Sequence, residues 1–531
     1  MTKKLSLLFT LMLSTLMASA YDLTIGGIYY TIHTYGEGNN VFVSKGDNYY
    51  EGDIYLPSVI KYNDVEYIVR GIEGEAFKDC TRLKKIVIPE TIETLNFTFW
   101  GCSGLQSVEF PDNLKEIGTW SFLNCSNLET ISLPSNLEKI GDWAFSGCLS
   151  LKSIIIPQSV SSIGSAPFEN CPQLESLVVE DGNNNYDSRN NCHAIINSKT
   201  NHLISGCKKS FIPHDVIAID SRAFYGCTRL KTISLPEGLT EIGTGAFQEC
   251  TGLTSIKLPS TLNKIESQLF DGCTSLERVD IPSGLSTIGG YAFFKCTSLS
   301  SIILPLTILE IGKYAFAYSS INSITIPEGI TTIEEKMFYE CHQLNQVMLP
   351  STLKKIENGA FERCYFLYDM WCYAPYAPYT TNSSFTNSPY QSATLHVPSA
   401  SISDYKEVAP WSNFRKIEGI SADSPKCATP TITIKDDKIK FASETDGVEY
   451  VYDISPSTAM SGSGDEAPML TKYTISVYAK KDGFENSDVA TKEIDLGTSG
   501  LRGDVNNDGT VNMPDAMFIV NKILNGKFPD E

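Results

Sequence analysis

The chain has 531 residues and a formal net charge of −20, from 42 Lys and Arg against 62 Asp and Glu. This length is sufficient for several domains. A strongly acidic protein repels polyanions, so we expect no nucleic acid partner and no anionic membrane partner. The charge also helps to keep an extended surface soluble.

The first twenty residues have the pattern of a secretory signal peptide. Lys3 and Lys4 precede an apolar stretch from Leu5 to Met17, and Ala18-Ser19-Ala20 is a small-residue cleavage site. The alternative, a transmembrane anchor, requires a longer apolar run and charges that follow it. We therefore expect residues 1–20 to be removed and the mature chain, without a transmembrane anchor, to be extracellular or at the cell surface.

From residue 71 a pattern of the form IGxxAFxxCxxLxxIxLPxxL recurs about every 23 residues, within the range of leucine-rich repeats. One copy runs from Ile242-Gly243 through Phe247 and Cys250 to Leu258-Pro259. The recurring phenylalanine marks twelve copies: Phe77, Phe99, Phe122, Phe145, Phe168, Phe224, Phe247, Phe270, Phe293, Phe316, Phe338 and Phe361. Each copy is one coil, and stacked coils form a solenoid in which neighbours bury one another.

Spacing within a coil changes along the chain. Phe247, Cys250 and Leu253 recur every third residue, which predicts a helical turn, whereas Ile256 and Leu258 alternate as in a strand. Proline after the strand ends its hydrogen bonding. The fold class predicted for 71–420 is thus a leucine-rich repeat solenoid of short parallel strands and helical turns.

The cysteines recur with the coils. Ser319 replaces one member of the series, so the position requires a small buried residue and not a disulfide partner. Although an exported protein would ordinarily use cysteines for disulfides, we expect mostly free and inert thiols here.

Alternation in the strands predicts an outward column of small hydroxyl residues as a candidate binding face. Its members are Ser107, Thr130, Ser153, Ser176, Thr232, Ser255, Ser301 and Ser323. Repeat proteins bind extended partners on such faces, although small residues also simply suit a curved sheet. Both interpretations stay open.

The regular spacing fails once, between Cys171 and Cys227. Residues 180–213 hold two short apolar segments around Asn197-Ser198-Lys199-Thr200-Asn201, a pattern that predicts a hairpin protruding from the stack. Such an insertion is either functional or a tolerated decoration.

These motifs resemble the BspA-like leucine-rich repeats of bacterial surface proteins, including the AFxxC core and the LP strand end. The resemblance covers residues 21–420, with an N-terminal β cap at 21–70 and a closing cap around Leu395 to Ile417. It implies adhesion to host matrix proteins or to other cells, that is, a protein or glycan ligand on host or neighbouring cells.

After the array, short alternating runs between residues 425 and 497 are separated by polar turns. They predict a small antiparallel β-sandwich. The segment resembles the immunoglobulin-like or fibronectin-like spacers of exported bacterial proteins.

A calcium-binding loop is predicted near the C-terminus, where Gly509 at position six allows a tight turn. Calcium prefers six to eight oxygen ligands, which the alternate positions of this loop supply. They are Asp504, Asn506, Asp508, the Thr510 carbonyl, Asn512 through water, and Asp515.

The segment 502–531 resembles a dockerin module, because no helix pattern precedes the loop and aspartate stands at its last position. Dockerins have two such loops and this chain has one. A cohesin-like partner and a purely stabilising calcium ion both remain open. The Arg502-Gly503-Asp504 tripeptide is not read as an integrin motif, since Asp504 is already the first calcium ligand.

The sequence predicts no enzyme. The six histidines have no metal-ligand spacing, and no nucleophile elbow or phosphate loop occurs. We expect a secreted or surface protein that mediates adhesion or protein or glycan binding. The alternative is a dockerin-type subunit of a calcium-dependent extracellular complex.

Overall fold

The computed structural model describes most of the chain. The described residues are 21–33, 39–381, 383–420, 430–435, 438–444, 448–456, 472–480 and 490–495. They fall into two compact units, one ending at Ala393 without residues 375–377, and one of residues 375–377 with those from Thr394 onward. The predicted signal peptide and calcium loop lie outside the described residues.

An N-terminal sheet precedes the coils. Its region holds strands β1 (Leu23–Ile25), β2 (Ile28–His33), β3 (Asn40–Val43), β4 (Glu51–Tyr55), β5 (Val59–Tyr62) and β6 (Val65–Ile72). Five of them form a sheet in the order β1-β2-β3-β6-β5, while β4 pairs in parallel with the first strand of the array. On one face of this sheet the side chains of Tyr30, Val41, Val43 and Val69 are fully buried.

The array consists of short strands. In chain order they are β7 (Arg82–Val87), β8 (Thr94–Leu95), β9 (Ser107–Glu109), β10 (Glu116–Ile117), β11 (Lys139–Ile140), β12 (Ser153–Ile156), β13 (Ser162–Ile163), β14 (Ser176–Val179), β15 (Tyr186–Asp187), β16 (Ile195–Asn197), β17 (His202–Ser205), β18 (Ala218–Ile219), β19 (Glu241–Ile242), β20 (Ser255–Lys257), β21 (Lys264–Ile265), β22 (Arg278–Asp280), β23 (Thr287–Ile288), β24 (Glu310–Ile311), β25 (Ser323–Thr325), β26 (Thr332–Ile333), β27 (Gln346–Leu349), β28 (Lys355–Ile356), β29 (Asp369–Cys372) and β30 (Tyr379–Thr380).

These strands form two columns of parallel pairing. The first, from the SxIxLP segments, contains β4-β7-β9, β12-β14, β20-β22 and β25-β27-β29. The second contains β8-β10-β11-β13, β18-β19, β21-β23-β24 and β26-β28-β30. The parallel-strand solenoid is thereby confirmed. The second column was not predicted, because its strands have two residues each and are too short to show alternation.

The predicted helical turn was wrong. The AFxxC segments are successive turns, in which the Cys80 amide bonds the Phe77 carbonyl and the Phe77 amide bonds Thr98 in the next coil. Backbone φ is positive two residues before and two after the phenylalanine, as at Glu75 (66°) and Asp79 (59°). Left-handed residues interrupt a right-handed helix, so the amides bond between coils instead.

The core is a column of stacked phenylalanines. Phe122 and Phe145 are parallel to within 1° with ring centroids 5.2 Å apart, and the Phe293–Phe316 pair is similar at 5.6 Å. Aromatic pairs contribute about 0.5–1.5 kcal/mol beyond area burial. Since each ring covers the next, the core runs along the array and not within any coil.

The repeat cysteines line this column as free, buried thiols, which confirms the expectation. Cys148 Sγ lies 3.3 Å from the Phe122 carbonyl in the preceding coil, and Cys273 Sγ lies 3.1 Å from that of Phe247. The thiol therefore donates a hydrogen bond between coils. Ser319, which takes the place of one cysteine, is also buried, and its Oγ lies 3.5 Å from Cys341 Sγ in the following coil.

The insertion does form the predicted hairpin, with β16 and β17 antiparallel and Asn197 opposite His202. The prediction that it protrudes was wrong. Ile195, Ile196 and Leu203 are fully buried, and β17 pairs in parallel with β18 of the following coil. The apolar residues of the hairpin fill the place of a coil's core.

The second unit begins its described part with β31 (Thr394–Pro398) and β32 (Lys416–Ile420), which are parallel, and with the helix α1 (Ile402–Glu407) between them. Tyr405 and Trp411 are fully buried there, in edge-to-face contact at 5.4 Å. Single 3₁₀ turns occur at Arg189–Asn191, Tyr390–Ser392, Ser399–Ser401 and Trp411–Asn413.

Five further strands fall in the region predicted as a β-sandwich: β33 (Thr431–Lys435), β34 (Lys438–Ala442), β35 (Glu449–Pro456), β36 (Lys472–Lys480) and β37 (Ala490–Asp495). They form an antiparallel pair, β33-β34, and an antiparallel three-stranded sheet, β35-β36-β37. Within the described residues, no helix is long and apolar enough to cross a membrane.

Burial of the thiols makes the stability of the fold sensitive to alkaline pH. Desolvation raises the pKa of Cys148 to about 12, against about 8.5 in an unfolded chain. Because the pKa is higher in the folded chain, the stabilisation that the buried, protonated Cys148 thiol provides is fully present below pH about 8.5 and is lost as the pH rises toward 12. When the pH rises from 7 to 10, the free energy of unfolding should therefore fall by about 2 kcal/mol less in Cys148→Ser than in the parent chain. Urea unfolding at the two pH values measures this difference. Equal losses would contradict this burial.

Candidate functional site

The outer face of the first strand column, which we call the sheet face, displays the predicted hydroxyl column. The pairing register places Ser153 beside Ser176 and Thr130 beside Ser153, so equivalent positions of neighbouring coils lie side by side. Elsewhere the same column continues with Lys85, Arg278, Gln346 and Asp369. Alternation in each strand turns these residues outward while the next residue enters the core.

Most of the predicted binding residues are exposed on this face. The exposed members are Ser107, Thr130, Ser153, Thr232, Ser255, Ser301 and Ser323, and Ser176 is partly exposed. Short hydroxyl side chains leave the strand backbone close to the surface, so a flat partner can approach it along several coils.

Two pairs of opposite charges on the sheet face form ion pairs. Lys85 Nζ lies 2.5 Å from Glu109, and Arg278 Nε lies 2.6 Å from Asp280. Such exposed pairs contribute little to stability, with a median of about 0–1 kcal/mol. Their effect here is to leave the face locally close to neutral despite the acidity of the whole chain.

Single apolar side chains lie in the neighbouring outward column. Tyr55 is 64% exposed, Ile155 54% and Ile303 50%. Met348 and Trp371 are register partners at the other end of the array. Hydroxyls flanked by separated apolar groups suit a partner that combines hydrogen bonding with modest apolar contact.

Ser176 and His193 form the arrangement on this face closest to a nucleophile and a base. Ser176 Oγ and His193 Nδ1 are 3.3 Å apart. A catalytic pair requires a third group that orients the base. Among the described residues, no hydrogen bond joins His193 to a carboxylate. The contact joins the insertion to strand β14 and makes Ser176 less available to a ligand than its neighbours.

The insertion also opens a pocket of about 360 Å³ beside the second strand column. Asp142, His202, Asp220 and Glu241 supply its ionisable groups, and Ile163 and Ile204 its apolar walls. Burial raises the pKa of Asp220, against the opposing effect of His202, whose Nδ1 is 3.2 Å from the carboxylate. Within the described ranges, no three carboxylate, histidine or cysteine side chains are grouped as metal ligands. No spacing of residues in the sequence indicates this pocket.

Aromatic clusters on the turns were also missed by the sequence analysis. The Trp120 ring contacts those of Phe97 and Trp100, with centroids 5.6 and 5.2 Å apart, and a larger cluster surrounds Tyr314. Their signal in the sequence is an aromatic residue two positions before the repeat phenylalanine. That position appears unpatterned unless the coils are aligned.

The family-model comparison bears on the whole array. A model described as the BspA type leucine-rich repeat region, in six copies, matches residues 70–197, 195–322 and 286–406, more than half of the chain. The chain belongs to the BspA-type leucine-rich repeat family. A comparison with curated proteins finds no match.

Solved structures similar to this BspA-type array come from several bacteria. A leucine-rich repeat protein of Bacteroides ovatus is 28% identical, with 66% of this chain and 94% of the other covered and a TM-score of 0.42. The pneumococcal vaccine antigen PcpA is 20% identical over 76% of this chain and 99% of its own, at 0.50. A leucine-rich cell surface protein of Faecalibacterium prausnitzii is 23% identical over 66% and 93%, at 0.37.

Proposed function

We propose that this BspA-type protein is exported and binds an extended protein or glycan on host or neighbouring cells through its sheet face, without catalysis. The observation that carries this proposal is the outward hydroxyl column, which recurs from coil to coil in one register. A periodic, flat and nearly neutral face is complementary to an elongated partner that makes many similar contacts.

Export and display are part of the proposal. The basic and apolar pattern of residues 1–20, followed by a small-residue cleavage site, supports secretion to the cell surface or medium. The strands between residues 425 and 497 are proposed as a sandwich-like spacer that separates the array from whatever holds the chain.

The sheet face is tested by placing bulk on it. Thr130→Arg with Ser153→Arg puts two long side chains on adjacent coils of the sheet face. Thr94→Arg puts one long side chain on the second strand column and serves as the control. We expect the intact chain to bind a component of a panel of matrix proteins, mucins and glycans, and the double variant to bind it at least tenfold more weakly. Affinity is measured by surface plasmon resonance.

Two outcomes would contradict the proposal. One is the absence of saturable binding by the intact chain across the panel. The other is a double variant that retains the parent affinity while its unfolding transition is unchanged.

We also propose that residues 504–515 bind one calcium ion, either to stabilise the C-terminus or to dock a cohesin-like partner. The support is the oxygen donor set at alternate positions of the loop, with glycine at position six. Docking through this loop would make the chain a subunit of a calcium-dependent extracellular complex.

Calcium titration calorimetry on the full chain tests the loop. Asp508→Ala removes a predicted ligand and should abolish binding, whereas Asn507→Ala, at a non-ligand position, should leave it intact. Calcium binding that survives the Asp508 substitution would contradict the assignment. Pull-downs with and without a chelator then separate docking from stabilisation.

A further inference from the structure

A contiguous aromatic surface covers the turns of three adjacent coils. Tyr291 and Tyr314 stack at 4.7 Å, Phe294 lies 5.3 Å from Tyr318, and Tyr318 lies 5.4 Å from Tyr339. We call these five residues, with the two lysines below, the turn patch. Tyr291 is 36% exposed and the other four rings are partly exposed, so the patch faces solvent.

Two ammonium groups lie over these rings. Lys336 Nζ is 4.9 Å from the Tyr339 ring and 5.6 Å from that of Tyr314, and Lys295 Nζ is 5.3 Å from Phe294. Neither lysine forms an ion pair among the described residues, although Lys336 is hydrogen-bonded to the Tyr314 side chain and interacts electrostatically with Glu362. The patch therefore combines flat apolar ring faces with two ammonium groups that form no close ion pair.

The backbone beneath the patch is unfavourable for these residue types. Tyr291, Lys295, Tyr314, Tyr318 and Lys336 all have φ between 53° and 61°. Bulky side chains rarely adopt this conformation. At the equivalent positions other coils carry glycine, as at Gly245 and Gly272, or bulky residues at positive φ, as at Trp120 and Arg222. The backbone conformation therefore does not require a particular side chain at these positions.

A second aromatic cluster on the turns provides a contrast. Lys78 lies 3.8 Å over the Trp100 ring, but it also forms an ion pair with Glu75 at 3.1 Å. The cation of that cluster is already satisfied within the chain. The turn patch differs because neither Lys295 nor Lys336 forms such an ion pair among the described residues.

The backbone of the patch is not available to a peptide strand. The amides of Tyr291, Tyr314 and Tyr318 donate to the carbonyls of Lys313, Glu335 and Tyr339 in the following coil. Strand addition requires unpaired backbone groups along an edge. Recognition must therefore use the ring faces and the ammonium groups.

We infer that the turn patch is a second binding surface, distinct from the sheet face, for carbohydrate chains that contain carboxylate-bearing sugars. The apolar C–H face of a pyranose stacks on an aromatic ring while its hydroxyls stay in water, and a sugar carboxylate pairs with Lys336 or Lys295. The net charge of −20 still disfavours dense polyanions, so the inferred ligand carries isolated carboxylates, for which only charges within about 8 Å act strongly at physiological salt.

The test uses the full chain and defined oligosaccharides in titration calorimetry. The probes are a glucuronate-containing oligosaccharide, a sialylated one and a neutral one of similar length. We expect saturable binding of at least one acidic probe, at least tenfold tighter than the neutral probe. Equal affinity for the neutral probe, or no binding of either acidic probe, would overturn the inference.

Two sets of variants assign the binding to the patch. Tyr291→Asn with Tyr314→Asn removes the stacked rings but keeps a residue type that tolerates positive φ, so we expect at least tenfold weaker binding with an unchanged or higher Tm. Trp120→Asn, in the contrasting cluster, is the control and should bind as the parent does. Parent affinity in the double variant would overturn the inference.

Lysine substitutions keep the test decisive if the double variant unfolds. Lys336→Gln should weaken binding of the acidic probe at least tenfold, whereas Lys313→Gln should not, since Lys313 already pairs with Glu335 at 3.1 Å. Equal effects of the two substitutions would overturn the inference. Thr130→Arg with Ser153→Arg should bind the acidic probe normally, which separates this surface from the sheet face.

Discussion

Burial between successive coils is the constraint on which the array depends. The ring of Phe145 is covered by Phe122 on one side and Phe168 on the other, at 5.2 and 5.5 Å. The Cys148 thiol donates to the Phe122 carbonyl, again across coils. Burying a side chain of this size contributes about 1.5–3 kcal/mol, and a single coil cannot supply the cover by itself.

This constraint fixes the inward residues and the backbone but leaves the outward positions free. Close approach adds one local requirement, since a Cβ on Gly141 would lie 2.5 Å from the backbone of Gly118. The sheet face and the turn patch can therefore diverge in chemistry while the same core continues beneath them. The insertion obeys the same rule, because its hairpin places Ile196 and Leu203 in the core.

Periodicity allowed the solenoid and the free thiols to be predicted, because these follow from inward residues at fixed spacing. The hairpin strands were predicted from two apolar segments around a polar turn, at the place where that spacing fails. The turn conformation and the second strand column were not predictable by the same means. Period three at Phe247 and Cys250 is common to a helix and to this series of turns, and only the positive φ at Gly245 and Glu249 distinguishes them. The outward direction of Ser153 followed from alternation, whereas the pocket at Asp220 depends on how the insertion packs between its neighbouring coils.

The central claim is tested most directly by comparing two internal deletions. Removal of residues 247–269, one full period, joins Ala246 to Phe270 and preserves the column, whereas removal of residues 247–258 shifts every later coil out of register. Circular dichroism and urea unfolding should show a single cooperative transition close to that of the parent for the first deletion and its loss for the second. Similar behaviour of the two deletions would contradict coil-to-coil burial as the source of the fold.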